Sequence, residues 1–379
     1  MEEKFSKIAA YEQEDFRPAI IRAVNEPTFE QVLLKITHSE EKTKDIISFF
    51  NNCQTREESD DIMIMPALEW LVDNASQGLT MEGEKNIHFP ALFITNHRDI
   101  ILDSAFLSLL LYMKYRERIY IGIGTNLYVQ PWIEDFVRAN KTFSVIRGGT
   151  PRELLQHSTL LSEYIRHIIA DQHHSAWIAQ REGRAKDSDD RTQAALLKML
   201  TMAGEGDFIE KIKQLNITPI ALSYEFDPCD YLKAQEFQLK RDNPQYKKTE
   251  QDDYMNMFIG MFGFKGHIVF NISESINGEL DAIAEQTDIR NEQVNLTAQL
   301  IDRHIHSHYH IFNVNRIAYD MLKKTGRFAH LYSEEESNAF AAYIMKQIEK
   351  INIPQKDEQF LKQKLLEMYA NPLINQLAL

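Results

Sequence analysis

The amino-acid sequence predicts an α/β fold, with a mixed and largely parallel sheet flanked by helices and with helical regions at both ends of the chain. Between about residues 88 and 275, short apolar runs recur, and each is followed by turn residues and an amphipathic stretch. Strands that alternate with helices in this way are typical of α/β domains. Before and after this part, apolar residues repeat every three or four positions, which is a helical period.

Three regions follow from this pattern. We predict a helical N-terminal region over residues 1–80, an α/β domain over residues 81–275 and a helical C-terminal region over residues 276–379. Pro219 lies early in one of the apolar runs and, because proline cannot donate a ladder hydrogen bond, it predicts a sheet edge there. The predicted strands of the α/β domain cover residues 89–95, 119–123, 142–146, 176–179, 217–224 and 267–272.

Charge and composition restrict the partners and the compartment. The net charge of -14 argues against nucleic acid, because phosphate backbones are bound by basic surfaces. The only two cysteines, Cys53 and Cys229, are far apart in sequence, which fits a reducing compartment. The polar, acidic start does not resemble a signal peptide, and the most apolar stretch, 104–113, is too short to cross a bilayer. We therefore expect a cytoplasmic protein that contacts at most the inner face of a membrane, as a peripheral protein.

A histidine and an aspartate flank the turn after the first predicted strand. His97 follows the run 91–95, and Asp103 lies at the start of an apolar stretch that predicts a buried helix. Carboxylates are favoured at helix starts by free backbone N–H groups. An ionised Asp beside a His also fixes the imidazole tautomer, so that the other nitrogen can take a proton from a hydroxyl. Taken alone, the pair fits a capped polar turn equally well.

Basic residues follow two further predicted strands. Arg147 and Gly148 end the run 142–146, where a guanidinium could grip a phosphate and glycines let a ligand approach the backbone. Arg181, Arg184 and Lys186 end the run 176–179. Open α/β sheets build their pockets at the carboxyl ends of strands, so these cations predict a site for an anionic group near His97.

Four short blocks, in order, resemble those of the glycerol-3-phosphate and lysophosphatidic acid acyltransferase family. They are Asn-His-Arg…Asp from residue 96, Ile-Arg-Gly from 146, Glu-Gly-Arg from 182 and Pro-Ile…Tyr-Glu from 219. The likeness covers about residues 88–275. The resemblance implies His97 as the catalytic base and Asp103 as its charge partner. It implies substrate-binding roles for Arg147, Gly148, Glu182, Gly183, Arg184 and Pro219.

Within that resemblance the blocks have separate roles. The Arg147 block corresponds to the one that binds the acceptor phosphate, and the block of Glu182 shapes the acceptor site. Pro219 corresponds to a proline linked to acyl-donor binding. Two departures stand out: five residues separate His97 from Asp103 where the family has four, and the third block begins Gln-Arg-Glu-Gly. Asp99 is therefore an alternative partner of His97.

The resemblance implies a function and an alternative. A fatty acyl group would pass from acyl carrier protein or acyl-CoA to a hydroxyl of glycerol-3-phosphate or a lysophospholipid, in phospholipid biosynthesis. The thioester would be a co-substrate, with no further cofactor and no metal. The Glu-Gly-Arg-Ala-Lys form favours the glycerol-3-phosphate branch. The alternative is a catalytically inactive lipid- or acyl-carrier-binding protein of the same fold.

Three other features carry weaker interpretations. His97-Arg98-Asp99 matches the start of a kinase catalytic loop, but the Asp-Phe-Gly that a kinase needs is absent from the sequence. The histidines at 304, 306, 308 and 310 could form metal pairs on a helix, although a polar helix face is the simpler interpretation. The segment 255–264 is rich in Met and Phe and could line an acyl tunnel or be ordinary core.

Overall fold

A computed structural model describes residues 3–379, apart from the side chain of Glu250. The predicted fold class is confirmed: seven strands form one sheet in the order β1-β7-β6-β2-β5-β3-β4, with helices on both faces and helical regions at both ends. The strands are β1 (Gly78–Glu82), β2 (Leu92–Thr95), β3 (Tyr120–Gly124), β4 (Thr142–Val145), β5 (Ala176–Ala179), β6 (Ile217–Tyr224) and β7 (His267–Ile272).

The helices surround this sheet and extend beyond it. Those before or within it are α1 (Gln13–Val24), α2 (Pro27–Thr37), α3 (Glu40–Asn52), α4 (Arg56–Ser59), α5 (Met65–Ala75), α6 (Leu102–Tyr115), α7 (Pro131–Ala139), α8 (Pro151–Arg166), α9 (Ala194–Leu200), α10 (Phe208–Lys213), α11 (Asp230–Asp242) and α12 (Glu250–Phe262). Those after it are α13 (Leu280–Gln286), α14 (Arg290–Ser307), α15 (Asn313–Lys323), α16 (Glu334–Glu349) and α17 (Glu358–Leu377).

Strand direction determines where a site can form. The pair β6–β7 is antiparallel, and every other neighbouring pair of the sheet is parallel. The carboxyl ends of β2 to β6 therefore meet at one edge, which is where α/β sheets place their ligands. All six predicted strands are present. The strand β1 was not predicted, because it is an edge strand whose residues are all partly exposed or exposed and so lacks a buried apolar run.

Pro219 does not mark a sheet edge, so that prediction was wrong. It lies in β6, in the interior of the sheet, opposite Ile94 of β2. Its carbonyl accepts a hydrogen bond from the backbone N–H of Ser273 on the β7 side. Since both backbone groups of a residue face the same neighbour, the missing N–H also faces β7, where the antiparallel ladder ends at Ile272. A proline is tolerated there because only the last bond of that ladder is lost.

Two apolar clusters cover the two faces of the sheet. One cluster contains Phe143, Ile165 and Ile301 and packs α8, α9, α10 and α14 against the sheet. The other contains Phe93 of β2, Phe106 of α6 and further residues of α5 and α6. Additional clusters hold the N-terminal helices around α7 and the C-terminal helices around α17. The predicted region boundaries remain predictions, although β1 starts at Gly78, before residue 81.

Candidate functional site

His97 and Asp103 are in direct contact after β2. The Nδ1 atom of His97 lies 2.7 Å from Asp103 Oδ2, and Asp103 is completely buried in the first turn of α6. The backbone N–H groups of Arg98 and Asp99 also donate to the Asp103 carboxylate, at 2.7 and 3.0 Å. These donors stabilise an ionised carboxylate, which in turn keeps the proton of His97 on Nδ1. Nε2 has no hydrogen-bond partner among residues 3–379 and is free to accept a proton.

Asp99, the alternative partner, accepts hydrogen bonds from the backbone at the start of α6. Its Oδ1 accepts hydrogen bonds from the backbone N–H groups of Ile101 and Leu102, at 2.9 and 2.8 Å, and so caps the start of α6. Burial, followed by the nearby Asp103 charge, raises the pKa of Asp99. The extra residue between His97 and Asp103 is thus accommodated in a turn that leaves the contact between the pair intact.

Two aromatic side chains enclose the pair. The Trp177 ring from β5 stands edge-on to the His97 ring, with centroids 6.3 Å apart, and its Nε1 donates to Thr95 at 3.2 Å. Tyr224, at the end of β6, lies beside the Asp103 carboxylate; burial, followed by the charges of Asp103 and Asp99, raises its pKa well above the usual value. The phenol therefore stays protonated beside the carboxylate.

A buried hydrogen-bond network supports the turn between β2 and α6. Arg98 makes two hydrogen bonds to Asp190, at 2.8 and 2.6 Å, and Tyr309 donates to the same carboxylate. Asn96 donates to Asp190 and exchanges two hydrogen bonds with the backbone of Leu222 in β6, at 2.9 and 2.8 Å. Sequence reasoning missed Asp190 and Tyr309, since no local signal links positions about 90 to 210 residues away from the turn.

A cleft of about 790 Å³ opens at the carboxyl edge of the sheet, and His97 lines it. It is lined by five basic side chains, Arg147, Arg181, Arg184, Lys186 and Lys248, and by two acidic ones, Glu182 and Asp253. The sequence-predicted cations thus come together around His97. In a chain of net charge -14, this local concentration of positive charge favours an anionic ligand.

The arginine side chains of the cleft differ in the hydrogen-bond and ion-pair partners that they already have. Arg147 pairs with Glu182, with Nη1 and Oε1 2.8 Å apart and the Glu182 side chain 68% exposed. Arg184 is buried and donates to Asn256 at 2.9 Å, but its Nη1 has no partner within residues 3–379. The Nε atom of Arg181 is likewise buried without a partner in the described chain. Both residues line the cleft, where a guanidinium group suits an anion.

Two glycines, Gly148 and Gly183, lie in turns that line the cleft. Gly148 and Gly183 have φ values of +83° and +68°, in the left-handed region that side chains disfavour. A Cβ at either position would meet nothing within 4 Å. The turns after β4 and β5 therefore require glycine for backbone conformation and leave space next to Arg147 and Arg184.

Lys186 carries a charge that depends on pH. Burial lowers its pKa to about 8, although the hydrogen bond to Glu236 acts in the opposite direction. Burial acts to raise the pKa of Glu236, but its hydrogen bonds to Lys186 and Lys240 outweigh it and hold that pKa at about 2. Lys186 is thus a cation at neutral pH that loses its charge under mildly alkaline conditions.

Pro219 is not brought to the cleft. It is buried within β6 and lines neither this cleft nor the apolar cavity described next. Its predicted link to donor binding stays a prediction.

An apolar cavity of about 370 Å³ adjoins the cleft. The residues that line both spaces are Ile100, Gly122, Ile123, Leu127 and Trp177. A Cβ at Gly122 would lie 2.9 Å from the Phe143 ring, so only glycine fits there. Met257 and Met261, from the Met- and Phe-rich segment, line the cavity, whereas Met255, Phe258 and Phe264 are exposed. The cavity thus starts at the carboxyl edge of the sheet and continues between α6 and α7.

The histidines of the 304–310 tract contact other side chains and the backbone. His304 contacts Ser273 and Glu279, and His306 lies against the backbone oxygen of Asp190 at 2.7 Å. In the part of the chain that the structure describes, no three His, Cys, Asp or Glu side chains are grouped as metal ligands. None of the helices over residues 3–379 is long and apolar enough to span a bilayer.

Residues 78–210 match the model of a protein family described as Acyltransferase. The matched segment contains β1 to β5, the His97–Asp103 pair and the basic residues after β4 and β5, and it ends before β6. A comparison with curated proteins found no match. The family match supports a general acyltransferase role for the domain built on these residues.

Proposed function

We propose that the protein is an O-acyltransferase. It moves a fatty acyl group from a thioester of acyl carrier protein or coenzyme A to a hydroxyl of glycerol-3-phosphate or a lysophospholipid. One observation carries the proposal: the His97–Asp103 pair lies where a basic cleft and an apolar cavity meet. An amphiphilic product needs a site of this kind, with a polar half and an apolar half on either side of the reacting atoms.

In the proposed mechanism His97 acts as a general base. Its Nε2 takes the proton of the acceptor hydroxyl while the oxygen attacks the thioester carbonyl carbon. Asp103 stabilises the imidazolium that forms, as in other Asp–His pairs. When the tetrahedral intermediate collapses, the carbon–sulfur bond breaks and the thiolate takes the proton back from His97. An ester and a free thiol are released, and no covalent enzyme intermediate is needed.

The basic cleft would bind the acceptor phosphate. The guanidinium groups of Arg181 and Arg184 line the cleft and would supply positive charge, and Arg147 becomes available when Glu182 moves off it. The exposure of Glu182 makes this exchange inexpensive, because surface ion pairs contribute only about 0–1 kcal/mol.

The apolar cavity would hold the acyl chain of the donor. Its entrance at Gly122 and Trp177 lies beside His97, which would present the thioester carbonyl to the cleft. The exposed Met255, Phe258 and Phe264, on α12 and just after it, would contact a membrane surface, from which the protein, as a cytoplasmic peripheral protein, would receive or deliver lipid.

Product identification tests the proposal. Purified protein is incubated with a mixture of acyl-CoA and acyl carrier protein thioesters and a panel of glycerol-3-phosphate, lysophospholipids and neutral hydroxyl acceptors, and products are identified by mass spectrometry. We expect an acyl ester of a phosphate-bearing acceptor. Binding of thioester and acceptor without any ester would favour the inactive lipid- or carrier-binding alternative.

A further inference from the structure

The cleft around His97 extends as an apolar groove between α8 and α9. Side chains of β4 and β5 line this part of the cleft, together with residues of both helices. On α8 the lining positions are 154, 157, 158 and 161, whose spacing of three and four residues places them on one helix face. Two of them, His157 and Ser158, are polar. The apolar members of this α8–α9 groove are Val145, Leu154, Leu161, Ile178, Leu196 and Met199.

The groove and the apolar cavity lie on opposite faces of the sheet. Trp177 and Ile178 follow each other in β5, so their side chains point to opposite faces. Trp177 lines the apolar cavity and packs with the cluster of α6, whereas Ile178 lines the groove and packs with the cluster of α8. The cleft that His97 lines therefore connects to two apolar compartments, one on each face.

Basic residues adjoin the groove along the chain. Arg147 follows Val145 by two residues and precedes Leu154, in the first turn of α8, by seven. Arg181 follows Ile178 by three residues. Both arginines line the same cleft as the groove. An anionic group at these guanidiniums and an apolar chain along α8 therefore fit a single ligand.

The apolar side chains of the groove favour an alkyl chain over the polar parts of the substrates. Leu154 is 41% exposed, and Leu196 and Met199 are half-buried, so an occupant would remove apolar surface from water. Glycerol-3-phosphate is polar throughout and would leave these side chains in water. The pantetheine arm of a thioester carries amides, which would lose hydrogen-bond partners against them.

The lining face of α8 sets the length of chain that the groove holds. Leu154 and Leu161 are seven residues apart, which is about 10 Å along a helix. Since an extended chain advances roughly 1.2 Å per bond, the groove accommodates on the order of eight bonds.

We propose that the acceptor is itself a single-chain anionic amphiphile, whose alkyl chain of on the order of eight or more carbons lies in the α8–α9 groove. Its hydroxyl then reaches His97 and its anionic group the arginines of the cleft. This inference rests on the proposed acyl-transfer function and selects, within it, a lysophospholipid type of acceptor over glycerol-3-phosphate. Donor and acceptor chains lie on opposite faces of the sheet, and the new ester joins them.

Acceptors of graded chain length test the inference. Lysophosphatidates with one acyl chain of about four to twelve carbons, a range that brackets the groove, are compared below the concentration at which they aggregate. The variants Leu154→Asn and Met199→Gln place a polar amide in the groove at nearly constant side-chain volume. Leu155→Asn is the matched control, because Leu155 is the next residue of α8, is 57% exposed and lines neither the cleft nor the apolar cavity.

We expect the acceptor KM of the wild type to fall about two- to fourfold per added methylene until the chain fills the groove, as for burial of a CH₂ group. Both groove variants should raise the KM of the longest acceptor about three- to tenfold, while Leu155→Asn leaves it unchanged. None of the three should alter how the KM of acyl-CoA depends on the donor chain. A wild-type KM that is independent of the acceptor chain would overturn the inference, and so would an effect of Leu154→Asn confined to the donor.

A binding measurement separates this inference from the proposed reaction. Calorimetry with alkyl phosphates of increasing chain length needs no turnover. Affinity that rises with chain length and is weakened by Leu154→Asn, with no ester formed from any acceptor, would retain the groove assignment and refute catalysis. Ester formation with an acceptor KM and a phosphate affinity that ignore chain length would do the reverse.

Discussion

Replacement of Asp103 by Asn isolates the electrostatic role of this carboxylate. The side chain keeps its shape, but the negative charge beside His97 Nδ1 is lost. Both carboxylate oxygens of Asp103 accept hydrogen bonds: Oδ1 from the N–H of Asp99, and Oδ2 from His97 and the N–H of Arg98. In the Asn variant, either orientation of the amide therefore places its NH₂ group opposite an N–H donor. Because Asp103 has no exposed surface, water cannot relieve this conflict.

The expected magnitude follows from the role of the pair. General base catalysis contributes about 10²- to 10⁴-fold, so kcat should fall by about that factor, or about 3–5 kcal/mol of barrier. A lost charge-assisted hydrogen bond should also lower the free energy of unfolding by about 2–3 kcal/mol. KM for the acceptor phosphate should change little, because the basic cleft is untouched.

The assay is thiol release from an acyl-CoA at saturating acceptor, with Asp99→Asn as the matched control. Asp99 caps α6 and does not contact the His97 ring, and Asn is an equally good cap. We expect Asp99→Asn to retain activity within about threefold, since caps of this kind are energetically equivalent. Full activity of a folded Asp103→Asn variant, or loss of activity only in Asp99→Asn, would refute the reasoning.

Three further predictions concern the cleft and its support. Arg147→Ala should raise the KM for a phosphate-bearing acceptor about tenfold, as for one lost charged hydrogen bond, with kcat nearly unchanged; an unchanged KM would exclude Arg147 from the acceptor site. Because the pKa of Lys186 is lowered to about 8, its positive charge is present below that pH and lost above it. The KM for the acceptor should therefore rise between pH 7 and 9, and this rise should be absent in Lys186→Met. Arg98→Met removes the cation that pairs with the buried Asp190 carboxylate, which should cost about 3–5 kcal/mol of folding stability in urea unfolding. A change under about 1 kcal/mol would contradict this supporting role of Arg98.

The sequence carried enough information for the sheet and for the local parts of the site. Buried strands such as β6 are apolar along their length, so they can be recognised without neighbours. The turn between His97 and Asp103, and the cations after β4 and β5, are also local patterns. Their convergence on one cleft followed from the rule that parallel strands end at one edge.

Other features depend on contacts that no local pattern encodes. The missing N–H of Pro219 predicts an edge strand, because a central strand would lose a ladder hydrogen bond. The structure tolerates the proline in the interior of the sheet because the β6–β7 ladder ends beside it. Asp190 and Tyr309 support Arg98 across about 90 and 210 residues of chain. The apolar cavity is likewise lined from separate elements, among them Arg118 before β3 and Asn140 after α7, which come together only in the folded chain.

The central claim is that His97 removes the proton of the acceptor hydroxyl. The most direct measurement is the initial rate of ester formation by wild type and His97→Ala, with thioester and acceptor identified from the product panel. We predict a loss of at least about 100-fold in a variant that remains folded, the lower bound for removal of a general base. Acyl transfer at a rate close to that of the wild type would contradict the mechanism.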